Sequence, residues 1–217
     1  MDIIRTKEDA IELIYHSYNR VRHINHKYKN HSRSRELLDL IGQPDKNKRV
    51  VLVAGSKGKG STATFLSSLL TRLGFRTGLF TSPHLMTFNE RVQVDGKAIS
   101  DGDLIRIANL VRPYVNELSH RLDENEYLGP IAVSLAIAMH YFSENRCDTL
   151  ILEIGKGGLY DDTNVVKNKW AVITAIMDEH IDELGPTLAD IVRHKLGIVK
   201  QSTDTVIVGK QQIPEVL

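Results

Sequence analysis

The sequence predicts an α/β fold, a mostly parallel sheet flanked by helices, on three observations. From residue 49 onward, short apolar runs rich in β-branched residues alternate with segments whose apolar positions recur at helical spacing. The first such run, RVVLVA (49–54), passes through a glycine-rich turn directly into a helical pattern. The connecting segments are long enough to be crossover helices, which parallel strands require.

The elements follow in order. Residues 7–21 place Ile11, Leu13, Ile14, Tyr18 and Val21 on one stripe, with Thr6 as N-cap, and so predict an opening helix. SRELLDLIG (34–42) reads as a second short helix stopped by Gly42 and Pro44. After the first strand, STATFLSSLLTRLG continues as a helix, FRTGLF (75–80) as a strand, and RVQVDGKAIS (91–100) as a small β-hairpin turning at Asp95-Gly96. Residues 101–122 form a helix with an acidic first turn, interrupted or kinked near Pro113, and residues 129–144 a mostly apolar one. Strands at 148–155 and 170–176, a helix at 186–200 and a strand at 205–209 complete the series. The division this implies is an N-terminal helical segment (1–48) followed by a central domain (49–217).

Composition narrows the function. With 28 Lys+Arg against 27 Asp+Glu, a net charge of +1 gives no overall attraction to nucleic acid or membrane. The apolar run near 129–142 is shorter than the about 20 residues a bilayer requires. The N-terminus carries acids where a signal peptide has a basic head, and the single Cys147 fits a reducing compartment; the expected location is the cytoplasm. Residues 20–35 hold six Arg or Lys and three His with no acid. Such a stretch reads either as a solvated face or as a site for an anionic ligand.

The segment AGSKGKGST (54–62) carries the sharpest chemistry. Gly55, Gly58 and Gly60 permit a tight turn that aims backbone N–H groups inward, and the following helix N-terminus adds positive potential, so the loop suits a phosphate. Lys59 can reach the β and γ phosphates, and Ser61 or Thr62 can offer a hydroxyl to Mg²⁺. The strict GxxxxGK[ST] pattern is not met, because Gly60 separates Lys59 from Ser61.

These residues and three further segments resemble one family. GSKGKGST is similar to the phosphate loop GTNGKGS of folylpolyglutamate and dihydrofolate synthases, members of the Mur ligase superfamily. TSPHLMTFNERVQVDGKAIS (81–100), LEIGKGGLYDDTNVV (152–166) and EHIDELGPTLADIVRHKLGIVK (179–200) resemble the family's TSPHL…FNERI…G…IS, LEVGLGGRLDATNVI and DH…LG.T…IA..KAGIIK. The fold implied is the P-loop-containing central domain of a Mur ligase.

The resemblance implies ATP-dependent amide ligation. An acceptor carboxylate takes the γ-phosphoryl group, and the resulting acyl phosphate is attacked by the amine of glutamate, in folate biosynthesis and one-carbon metabolism. It implies that Gly55, Ser56, Lys57, Gly58, Lys59, Gly60, Ser61, Thr62 and Asn164 bind ATP. Ser61 and Glu153 would hold a first Mg²⁺; His180 and a carbamylated Lys195 would support a second. Lys59, His180 and Lys195 are the catalytic candidates, with Ser82, Pro83, His84 and Arg91 facing the acceptor. Spacing adds to the case for Lys195: positions 188, 191, 192, 195, 198 and 199 read LIVKIV, so this lysine stands on the apolar face of its helix.

There are departures from the family pattern. Lys57 replaces an Asn, Leu159 an Arg and Glu179 an Asp, Lys156 enters the Gly-x-Gly-Gly segment, and Pro130-Ile131-Ala132 stands where the family has Phe-Phe-Glu. These leave two other readings open: a Mur-type ligase acting on a non-folate carboxylic acid, and a non-catalytic nucleotide-binding module. Family members are about twice as long, so a missing C-terminal domain or partner chain is also expected.

Overall fold

The computed structural model describes residues 3–25 and 28–216; His26 and Lys27 of the basic stretch lie outside the described residues. The chain opens with α1 (Lys7–Val21), capped by a reciprocal Thr6–Asp9 box, then β1 (Tyr28–Lys29) and α2 (Ser32–Leu40). It continues through β2 (Arg49–Ala54), α3 (Lys59–Arg72), β3 (Thr77–Phe80), β4 (Val92–Val94) and β5 (Lys97–Ala98). Next come α4 (Asp101–Ser119), β6 (Glu126–Tyr127), α5 (Pro130–Glu144), β7 (Thr149–Glu153) and β8 (Trp170–Ile173). The chain closes with α6 (Ile181–Leu184), α7 (Leu188–Leu196) and β9 (Thr205–Val208).

Seven strands form the main sheet in the order β5-β4-β3-β7-β2-β8-β9. The five from β3 to β9 are parallel, and β4 and β5 add an antiparallel edge. The central strands β3, β7 and β2 are buried on both faces because helices cover both, whereas the edge strand β9 is exposed. On one side, α3 packs Ala63 on Val51, Val53, Leu79 and Ile151. On the other, α4 and α5 share a larger core with Val50, Leu52, Phe80, Leu150 and Leu152. Helices α1 and α2 pack into that same core through Leu13, Ile14, Leu37 and Leu38.

Helix α4 runs unbroken through Pro113, so the expected interruption is absent. Pro113 stands on the exposed side, where the lost hydrogen bond faces water, while Leu104, Ile107, Val111 and Val115 hold the opposite face in the core. The two-stranded parallel pairing of β1 with β6 and the one-turn α6 are absent from the sequence reading; runs of two and four residues leave no measurable period.

Strand order places the site. From β2 the chain crosses by α3 to β3, with β7 inserted between, and β8 later joins the other side of β2. The carboxyl end of β2 is therefore the point where the sheet's winding changes direction, the usual crevice for ligands. Register brings Val53 opposite Glu153 and Ala54 opposite Ile173, so the loop after β2 emerges between the ends of β7 and β8.

Candidate active site

The loop is shaped by the strand beside it. Gly55 has φ +142°, and a Cβ there would stand 1.9 Å from Thr174 Oγ1, so only glycine passes this point without displacing β8. Ser56 N donates to Ala175 O at 2.8 Å, and Ser56 Oγ accepts from Met177 N at 2.9 Å. Gly58, at φ +79°, then turns the chain into α3 without a capping side chain. The first-turn N–H groups of α3 are consequently left for a ligand.

Gly58, Lys59, Gly60 and Ser61 line a cavity of about 1050 Å³ together with Ser56 and Lys57. Its opposite wall carries Ser82, Pro83, His84 and, from the end of β7, Glu153 and Gly155. Lys59 folds back, its Nζ donating to Gly55 O at 3.0 Å.

Glu153 is 5% exposed, and its Oε2 accepts from Ser82 N at 2.9 Å. Burial pushes its carboxyl above the usual range, against the Ser82 N–H and the Lys59 charge. Both carboxylate oxygens stand 3.4 Å from the Cβ position of Gly60, so the group abuts the loop. A buried carboxylate at a hydroxyl-bearing helix start is an oxygen donor set that suits Mg²⁺, with Glu153 and Ser61 as the residues that would hold it. Among the described residues, no cluster of three His, Cys, Asp or Glu forms a ready-made metal cage.

Lys195 lies beneath the loop. Its side chain is fully buried, and Nζ donates to Glu179 Oε1 at 2.7 Å and to Gly55 O at 3.1 Å. Burial lowers its pKa against the pull of Glu179. Glu179, despite burial acting in the opposite sense, is held below the usual carboxylate range by Lys195.

The remaining candidates fall outside the cavity wall. His180 is exposed, at φ +51°, at the head of α6. Arg91 is buried behind the Ser82–His84 loop, its Nε bonded to His84 Nδ1 at 3.0 Å and its guanidinium over Phe88. Asn164 donates to Gly197 O at 3.0 Å, joining its turn to the end of α7. Thr62 faces a shallow depression on the outer side of α3 beside Phe65. The structure thus gathers Ser56 through Ser61, Glu153 and Ser82–His84 around one cavity, sets Gly55 and Lys195 directly under it, and leaves Thr62, Arg91, Asn164 and His180 off its wall.

The sequence reading assigned no role to Glu179, Thr174, Lys29 or Asp162. Glu179 had a signal, as a departure from the family motif; Thr174 had none. Three cations of the basic stretch are internal counter-charge: Arg33 pairs with buried Glu126, Arg35 with Asp45 and Lys29 with buried Asp162.

A mostly parallel sheet with a glycine-rich loop and a buried carboxylate at its winding switch defines a doubly wound α/β domain. Residues 53–213 match the family described as Mur ligase middle domain, and the chain belongs to that family. It is 40% identical over 188 residues to the dihydrofolate synthase/folylpolyglutamate synthase of Bacillus subtilis (strain 168), covering 85% of this chain and 42% of that protein. A solved FPGS–AMPPCP complex superposes with a TM-score of 0.84 at 29% identity, over 98% of this chain and 49% of that one. Mycobacterium tuberculosis folylpolyglutamate synthase complexed with ADP gives 0.79 at 30% identity, over 96% and 47%. The chain spans less than half the length of these relatives.

Proposed function

We propose that this chain is the ATP-binding portion of an ATP-dependent carbon–nitrogen ligase that joins glutamate to a folate-like acid, acting in the cytoplasm. In this reading residues 49–217 form the catalytic central domain and residues 1–48 an N-terminal helical segment. The observation that carries it is the convergence of the Gly55–Ser61 loop, Glu153 and the Ser82–His84 loop on one cavity. Relatives that bear the name folylpolyglutamate synthase, and a neighbour solved with AMPPCP, support ATP as the nucleotide.

The chain's residues act on charge and position. The loop N–H groups and Lys59 neutralise the β and γ phosphates, and stabilisation of developing phosphoryl charge is the main catalytic term in such transfers. Ser82 N holds Glu153 in place, coupling the acceptor loop to the metal-side carboxylate. Mg²⁺, held by Glu153 and Ser61, would withdraw charge from the transferring phosphoryl group. The acceptor carboxylate attacks that group and ADP leaves; the incoming amine then attacks the acyl carbon of the acyl phosphate, forming the amide as inorganic phosphate and the amine's proton depart. Lys195 is the candidate for carbamylation at a second metal, with His180 as its partner. A carbamate there would add a negative oxygen donor beside Glu179, and the two would supply oxygen ligands to a cation.

A second reading changes only the acceptor. Ile131, within the segment that replaces Phe-Phe-Glu, lies 3.8 Å from the Cβ position of Gly155 on the cavity wall, and this nearness of the altered segment to the cavity supports a different acceptor. ADP release by the complete protein, dependent on dihydropteroate or tetrahydrofolate plus glutamate, tests the first reading. Release with another carboxylic acid and none with pterins establishes the second, and no acid-dependent release contradicts both.

A further inference from the structure

Behind the acceptor end of the cavity stands a carboxylate that none of these roles uses. Asp162, in the short turn after β7, is 1% exposed. One oxygen accepts from Ser34 Oγ at 2.7 Å and the other from Lys29 Nζ at 3.2 Å. Both partners belong to the N-terminal segment, 128 and 133 positions away in sequence. The fit is close: a Cβ on Gly129 would stand 2.3 Å from Asp162 Oδ2 and 3.0 Å from Lys29 Cδ. Burial pushes the Asp162 carboxyl up, with Lys29 and Ser34 opposing it and the Asp161 charge adding to the rise; although burial works against Lys29 too, Asp162 and Asp161 hold its ammonium above the ordinary lysine range.

A buried ion pair adds little net stability over apolar packing, so its presence asks for a reason of geometry. That reason is one residue away. Asp161 accepts from Thr163 N at 2.9 Å and from Lys156 N at 3.2 Å. Its Oδ2 stands 3.1 Å from the Cβ position of Gly155, which lines the cavity. The same N-terminal segment reaches further: the His31 and His194 rings flank Tyr160 at 5.4 Å each, joining the segment to the helix that carries Lys195.

We propose that Lys29 and Asp162, with Ser34, are a positioning pair that pins the 155–164 turn from behind and so sets the acceptor wall of the cavity. The acceptor part of this inference rests on the ligase reading above. The N-terminal segment is then part of the site's frame, and its cations act on the protein's own carboxylates.

Hydrogen exchange on the chain tests the pinning without any turnover. In Asp162→Ala the Lys156 and Thr163 amides should exchange about tenfold faster or more, while β2 keeps its protection. Adding Lys29→Met removes the stranded cation and should return the melting midpoint toward wild type without restoring those amides. In the complete enzyme both variants should raise the acceptor KM about tenfold and leave the ATP KM within about twofold. Unchanged Lys156 and Thr163 exchange would overturn the proposal, as would a double variant in which protection returns together with the midpoint. Faster exchange with an unaltered acceptor KM in an active enzyme would equally overturn it. An enzyme that shows no ligation at all contradicts the functional reading alone, and exchange then decides the pinning. Should Asp162→Ala fail to fold, the near-isosteric pair Asp162→Asn with Lys29→Met carries the same readouts, with the same amides expected to loosen.

Discussion

Lys195 Nζ lies 2.7 Å from Glu179 Oε1 and 3.1 Å from Gly55 O, so one buried amine joins α7, the segment after β8 and the glycine-rich loop after β2. Lys195→Met removes both bonds and leaves Glu179 partly buried without its lysine, with Ser56 as its remaining hydrogen-bond partner. A loss of about 2 kcal/mol in urea unfolding is expected, less than for a fully buried pair because Glu179 keeps some contact with water. Wild-type stability in that variant would show that the pair holds nothing in place.

The same lysine separates structure from chemistry. In the complete enzyme Lys195→Ala should be inactive and partly rescued by small carboxylates that replace a carbamate. Activity at the wild-type rate without any additive would remove Lys195 from the mechanism.

Gly55 carries a steric prediction. Gly55→Ala forces a Cβ to 1.9 Å from Thr174 Oγ1 at a φ of +142°. A destabilisation of about 2 kcal/mol or more follows, read as a lowered melting midpoint. Thr174→Ala should recover part of it, because the clash is relieved and the backbone strain is not. Strict additivity of the two substitutions would contradict the contact.

Glu126 and Arg33 make a pH prediction. Burial acts to raise the Glu126 carboxyl, yet the Arg33 bonds hold it below the usual 4.5. A carboxylate lowered in the folded state contributes stability fully above about pH 4.5 and loses it as pH falls through the folded value. The stability difference between wild type and Glu126→Gln should therefore be largest near neutrality and shrink on acidification. A difference that is constant with pH would detach Glu126 from Arg33.

Much of the frame was legible in the sequence because it rests on local pattern. The β2 run, the glycines at 55, 58 and 60 and the 188–195 part of the LIVKIV pattern, which buries Ile191 and Lys195, are each signals carried by neighbouring residues, although α7 ends at Leu196 and Val199 beyond it is exposed. What escaped depends on contacts across the chain. No local feature of Lys29 or Asp162 shows that they meet, and Thr174 dictates glycine at 55 only because β8 pairs with β2. Lys29, Arg33 and Arg35 read as solvated or ligand-facing because their acids, Asp162, Glu126 and Asp45, lie elsewhere in the chain.

The most direct measurement is calorimetric titration of the chain with ATP, with and without Mg²⁺, against Lys59→Ala and Glu153→Gln. Saturable, Mg²⁺-dependent binding at one site is expected in wild type. It should weaken about 100-fold in Lys59→Ala, with the metal dependence lost in Glu153→Gln. Equal affinity in all three proteins, or no saturable binding by the wild type, would contradict a nucleotide site at the end of β2.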